Sequence, residues 1–284
     1  MPRGFDYAFS VAQILESLAH LPTAVLFLLF ACLWVLIAFG LLWGCDRFVP
    51  YHVRKGSFNG VRNMMAIAAS FYSFLVGFIV VQEWSTVGTT KTLISQQAAN
   101  LATAEYAATT LPSPNAENVL NSLAAFTKSE LCDEIPALED STVGRPRTNV
   151  ALFRLYQTAA TVSPESVKGL PGYSQVFSDI GDISDLRYQI INGASQRVPL
   201  VLLIVVFGVG LFLVCTVTLQ DVKHRKSHVG TVIAVALFVA AGNTVIVSLN
   251  RPFVGAVTVS SQPLAGVAAY AFEVPESEVC GPTP

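Results

Sequence analysis

Four stretches of this chain, residues 17–45, 63–82, 198–220 and 227–250, contain no Asp, Glu, Lys or Arg. That exclusion constrains the fold more than any motif does. In a helix rising about 1.5 Å per residue, roughly 20 apolar residues cross a hydrocarbon core about 30 Å thick. The full sequence has 284 residues of which 13% are charged, about half the share usual in a soluble domain. An all-α integral membrane protein with four transmembrane helices follows, and the lipid bilayer is its first partner.

Charge placement then orients the spans. The connection between spans one and two carries Arg47, Arg54, Lys55 and Arg62 against Asp46 alone. The connection between spans three and four carries Lys223, Arg225 and Lys226 against Asp221 alone. Short basic loops stay on the cytoplasmic side. The long segment 85–197, with 8 basic and 11 acidic residues, is then placed outside with both termini. This describes a multi-pass protein of a bacterial inner (cytoplasmic) membrane. No basic patch suits nucleic acid: the clusters are short and lie at membrane edges, where anionic lipid is the ordinary partner.

The chain divides into five regions. Residues 1–20 read as an amphipathic interfacial helix, with Phe5, Ala8, Val11, Ile14, Leu15 and Leu18 at helical spacing. Residues 21–84 form the first transmembrane hairpin. Residues 85–197 form an α-helical extracytoplasmic insert between spans two and three. Residues 198–249 form the second hairpin, and 250–284 an extracytoplasmic C-terminal segment.

Span two continues past Gln82-Glu83-Trp84 as an amphipathic, helix-compatible run to Thr110, with Gly88 its weak point, until Leu111-Pro112-Ser113-Pro114 stops it. Within the insert, Ser113-Pro114 suits a helix start running to about Leu131. Residues 135–147, with two prolines and Gly144, read as a loop. Thr148 suits the cap of a helix to Val162, and another helix runs from Tyr173 toward span three. Val257-Thr258-Val259 alternates as a short strand does.

Span two carries two faces. Ile67, Phe71, Phe74 and Phe78 fall on one side, and Ala66, Ser70, Ser73 and Gly77 on the adjacent one. Small residues let helices approach closely in lipid, so Ser70, Ser73 and Gly77 are read as a helix-packing face. The aromatic row either meets lipid and core, or turns to the axis of a homo-oligomer as a dewetting constriction. Glu83 belongs at a pore mouth or at headgroup level. Asn243 in span four needs a polar partner on a neighbouring helix.

Motifs of catalysis are missing on inspection: the chain has no P-loop, GxSxG, HExxH or CxxC, and no carboxylate pair in a span. The reading is not an enzyme, and no cofactor or metal is expected. His224 and His228 sit four apart in a basic loop, and Asp179, Asp182 and Asp185 repeat on one helix side; a solvated surface accounts for both. Of five cysteines, Cys32, Cys45 and Cys215 belong to the spans. Cys132 and Cys280 both fall outside, where a disulfide between them is the expectation and two free thiols the alternative.

Several pieces together resemble the bacterial bestrophin-like membrane proteins, a family of unassigned function. They are the two-span, insert, two-span order, the polar helix Leu93 to Leu111, the arginine-led helix Arg187 to Pro199, and Leu249-Asn250-Arg251-Pro252-Phe253 with Gly255, Val259-Ser260 and Pro263. Kinship with bestrophins, pentameric anion channels whose second span lines a narrow neck, implies Phe71, Phe74 and Phe78 as neck residues. Ile67 and Glu83 join them as pore-lining candidates. The function expected is an oligomeric ion channel passing ions passively. The competing reading is a non-conducting extracytoplasmic sensor or scaffold.

The orientation is open to labelling. Cysteines placed at Ser57 and Ser227 should resist an impermeant thiol reagent in intact cells, while those at Ser141 and Thr283 should react. The reverse pattern inverts the topology.

Overall fold

The computed structural model describes residues 21–48, 58–139, 146–162, 171–220, 225–250, 253, 258–272 and 279–280. The helix expected over residues 1–20 lies outside them, as does most of each basic connection. Among the described residues all regular structure is helical. The chain forms two compact units, Met1–Ser85 with Arg197–Val257 and Thr86–Gln196 with Thr258–Pro284.

The first unit holds the four apolar stretches in four helices, each long and apolar enough to cross a membrane. They are α1 (Thr23–Phe48), α2 (Phe58–Thr109, as far as Ser85), α7 (Leu200–Thr218) and α8 (Arg225–Leu249). Helix α8 packs on both α1 and α7. The interior of this unit is a set of stripes: Leu26, Phe30, Trp34 and Ala38 of α1 recur every fourth residue and are buried, as are Ala236, Val239, Ala240 and Asn243 of α8. Trp34 stacks on Phe207 with ring centroids 6.1 Å apart.

Lipid tails are as apolar as leucine, so close packing and polar contacts hold such helices together. Tyr72 of α2 supplies the polar contact. Buried at 1% exposure, its hydroxyl donates to the Val239 carbonyl oxygen at 3.0 Å and lies 3.4 Å from Asn243 Oδ1. Two glycines make room for its ring. A methyl group at Gly242 would sit 2.7 Å from the Tyr72 hydroxyl, and one at Gly210 would sit 3.4 Å from the ring and 2.8 Å from Val239 Cγ1.

Both ends of this unit are tied. The Val198 N–H donates to Asn250 Oδ1 at 2.7 Å, joining the start of span three to the end of span four. At the other end Arg225 Nη2 lies 3.3 Å from Asp46 Oδ2, which brings the two basic connections together.

The second unit contains the remainder of α2, then α3 (Asn115–Ser129), a π turn (Glu130–Glu134), α4 (Ile135–Glu139), α5 (Pro146–Ala160), α6 (Pro171–Ser195) and α9 (Gln262–Phe272). Helix α3 packs on α5 and α9, and α5 on α6. Val119, Leu123 and Phe126 of α3 close against this core with Leu155 of α5 and Ile180 and Ile183 of α6, all fully buried.

Helix α2 runs unbroken through Gly88, as one continuous helix. Elsewhere local structure departs from the sequence reading. The loop expected over 135–147 begins instead with helix α4. Pro136 has no N–H for an α ladder, and the chain widens just before it so that the Ile135 N–H bonds the Glu130 carbonyl. Ile135, Ala137 and Leu138 are buried as a result. Pro146 and Pro171 open α5 and α6, where a missing N–H costs nothing. Thr258 to Ser260 form no strand.

Gly208 and Gly210 of α7 are not equivalent, nor are Gly230 and Gly242 of α8. Gly242→Ala should displace Tyr72 and cost about 1–3 kcal/mol as overpacking does. Gly208→Ala meets nothing within 4 Å and should be neutral. Thermal unfolding of the detergent-solubilised variants separates the two.

Candidate functional site

Helix α2 sorts its side chains into three rows along the first unit. Ala68, Tyr72 and Ile79 face inward and are buried. Ile67, Phe71, Phe74 and Phe78 point away from the chain and are exposed. Ser70, Ser73 and Gly77 are exposed beside them, so neither sequence-predicted face packs within one copy of the protein. Glu83 is buried; at 100° per residue it lies about 140° round the helix from Phe78. It therefore belongs to the inward row and stands apart from the phenylalanines. Asn243 is buried beside Tyr72, with its Nδ2 lacking a partner among the described residues.

Sequence inspection missed the buried polar cluster of the second unit. Arg187 of α6 and Glu134 of the π turn are 1% and 2% exposed and form a two-pronged pair. Arg187 Nε donates to Glu134 Oε2 at 2.7 Å, and Nη2 donates to Oε1 at 2.7 Å and to Asn149 Oδ1 at 2.8 Å. One turn earlier Glu130 accepts from Gln97 Nε2 at 2.7 Å. The cluster thereby joins α2, the π turn, α5 and α6. A guanidinium matched in plane to a carboxylate is the geometry that makes a buried ion pair tolerable.

Glu130 sits in a different setting. Complete burial pushes its carboxyl up to about 8, against the opposing pull of the Gln97 hydrogen bond; the Glu134 carboxylate adds to the rise and Arg187 opposes it. Glu130 Oε2 and Gln97 Oε1 both lack a donor. A proton on Glu130 supplies one, whereas the anion leaves both oxygens wanting. The one signal in the sequence is the i, i+4 repeat of Glu130 and Glu134, which also suits a solvated helix face.

Of the acids repeated along α6, Asp179 is buried and accepts from Gln175 Nε2 at 2.8 Å, while Asp182 and Asp185 face solvent. Among the described residues no group of three His, Cys, Asp or Glu is placed to hold a metal ion; His224 lies outside them. Cys132 and Cys280 are joined by a disulfide, their Cα atoms 5.5 Å apart across 148 residues of sequence. The bridge fastens the C-terminal segment to the π turn.

The profile of the Bestrophin-like domain matches residues 32–264. Two crystal structures of variants of a bacterial bestrophin homolog from Klebsiella pneumoniae resemble this chain. The first has a TM-score of 0.66 at 12% identity, covering 90% of this chain and 99% of that one. The second has a TM-score of 0.65 at 12% identity, again over 90% and 99%. A third crystal structure, described as a membrane protein, gives 0.63 at 11% identity over 89% and 98%. At such identities the likeness is one of fold. No curated protein matches the chain.

Two substitutions probe the polar cluster. Arg187→Ala strands Glu134 as a buried charge and should cost about 3–5 kcal/mol. Glu130→Gln acts through pH. A carboxyl raised from 4.5 to about 8 stabilises the fold most fully below about 4.5, and loses that contribution as pH rises through about 8. Glu130→Gln, neutral throughout, should flatten this part of the slope and exceed the wild type in stability at alkaline pH. Thermal unfolding across the pH range reads both.

Proposed function

Because this chain belongs to the Bestrophin-like family, we propose that it assembles as a homo-oligomeric ion channel of the bacterial inner membrane, its second span facing the conduction axis. The outward row Ile67, Phe71, Phe74 and Phe78 carries this reading. These side chains are between 49% and 70% exposed on one copy of the protein. Around a shared axis they form stacked apolar rings, and an apolar constriction blocks ions by dewetting until it widens. Ser70, Ser73 and Gly77, on the adjoining face, give a neighbouring copy a surface for close approach. Buried Glu83 takes no part in the pore.

The orientation that accompanies this function places the second unit and both termini outside. The basic residues of the two short connections support it. A non-conducting sensor or scaffold is the second reading, and the cavity of the second unit described below favours it. Conduction separates the two.

Phe78→Ala should raise single-channel conductance several-fold in planar bilayers by widening the narrowest ring. Conductance that is absent, or unchanged by the substitution, removes the span-two pore. A Cβ at Gly77 meets nothing within 4 Å among the described residues, so a loss of oligomer in Gly77→Leu by light scattering would report on contacts between copies. A wild type that is monomeric ends the proposal.

A further inference from the structure

We infer that the second unit binds an organic cation, an ammonium group carried on an aromatic body, in a cavity lined by Glu105, Tyr106 and Tyr270. The cavity lies between the last turns of α2 and helices α3 and α9, with a volume of about 890 Å³. That is the size range of small-molecule sites, which are mostly apolar with a few placed polar groups. Ala102, Ala124 and Val267 contribute apolar wall. Leu264 and Ala268, fully buried, seat α9 against its unit, so the site is formed before any ligand arrives.

Its polar content is lopsided. Glu105 is 9% exposed, and its Oε1 has no hydrogen-bond partner among the described residues. Among the described residues no Lys, Arg or His lines the cavity, and no other acid does. A carboxylate removed from water without a partner is costly. Burial accordingly pushes the Glu105 carboxyl up to about 7. A bound cation supplies the missing charge and donor together. Among the described residues the other titratable groups lining the cavity are Tyr106, on the same helix, and Tyr270 on α9; α3 contributes Leu120, Asn121 and Ala124, none of them titratable. Both tyrosines are largely exposed and offer aromatic faces to a cation or to its ring.

Other ligand classes fit less well. An anion meets a carboxylate and no basic group. A metal ion wants several oxygen or nitrogen ligands, and one carboxylate among apolar side chains provides too few. A neutral apolar molecule leaves Glu105 unanswered. The inference stands apart from ion conduction and holds whether or not the protein conducts.

Naphthylmethylammonium is a suitable probe, with naphthylmethanol as its neutral counterpart. The full chain in phosphatidylcholine nanodiscs should bind the ammonium at least tenfold more tightly than the alcohol. Glu105→Gln should remove that preference while leaving the thermal unfolding curve of a folded protein. Tyr270→Ala, which keeps the carboxylate, should weaken binding several-fold. Since only the ionised carboxylate pairs with the cation, a group titrating near 7 should lose about tenfold in affinity between pH 8 and pH 6. Equal affinity for ammonium and alcohol, or an unchanged preference in Glu105→Gln, overturns the inference. So does the absence of saturable binding to the wild type, the result expected if a second copy of the chain covers the cavity.

Discussion

Hydrocarbon gives a hydroxyl group nothing to bond, so Tyr72 must find its acceptor within the protein. It finds the Val239 carbonyl oxygen, with Asn243 next to it. Much of the membrane unit follows from that requirement. Helix α2 must turn Tyr72 toward α8, which sets the rotation of the whole helix. Gly210 and Gly242 must lack side chains where the tyrosine ring and hydroxyl arrive. Once α2 is rotated this way, Ala68 and Ile79 are carried inward with Tyr72, and Ile67, Phe71, Phe74 and Phe78 are carried outward. A single polar side chain thus decides which face of the span remains free for another copy or an ion path.

The helical unit solves the opposite problem. Charged side chains are buried in it, and each must be justified by its partners. Arg187 meets this condition through a planar pair with Glu134 and a third bond to Asn149. The π turn sets Glu130 and Glu134 at the junction of four helical segments, and Pro136 supplies the local reason for the widened turn. Glu130 and Glu105 lack a basic partner of this kind. Both are held toward the neutral form by burial, one bonded to Gln97 within the core and the other beside a cavity. The three buried glutamates of this unit thus sit in three different surroundings.

The fold likeness at low identity has a matching explanation. A span tolerates almost any apolar residue on its lipid side, and small residues are demanded only where backbones or rings approach. Few positions are constrained by such rules. Asn250 makes a contact of a more specific kind. It accepts the Val198 N–H, a backbone donor ahead of span three with no helical carbonyl to bond.

The spans, their number and the long helical extension of α2 were legible in the sequence because charge exclusion over about 20 residues has one physical cause, the low dielectric of hydrocarbon. The extension past Gly88 was legible because its apolar period continues to Leu111. The loop expected at 135–147 went wrong at its two ends, with 140–145 outside the described residues, because two prolines and a glycine signal a break, yet proline at a helix start ends nothing. Which row of span two faces inward was not legible: the serine and glycine row obeys every packing rule, but the Tyr72 row was chosen by an acceptor on a distant helix. The pairing of Arg187 with Glu134, across 53 residues, was equally hidden, since a sequence gives the charge of a side chain and not its neighbours. Sequence alone determined where the chain is apolar and helical, because those properties are local. Tertiary structure decided which polar groups are buried together and which faces are left bare, because both depend on contacts between segments far apart in the chain.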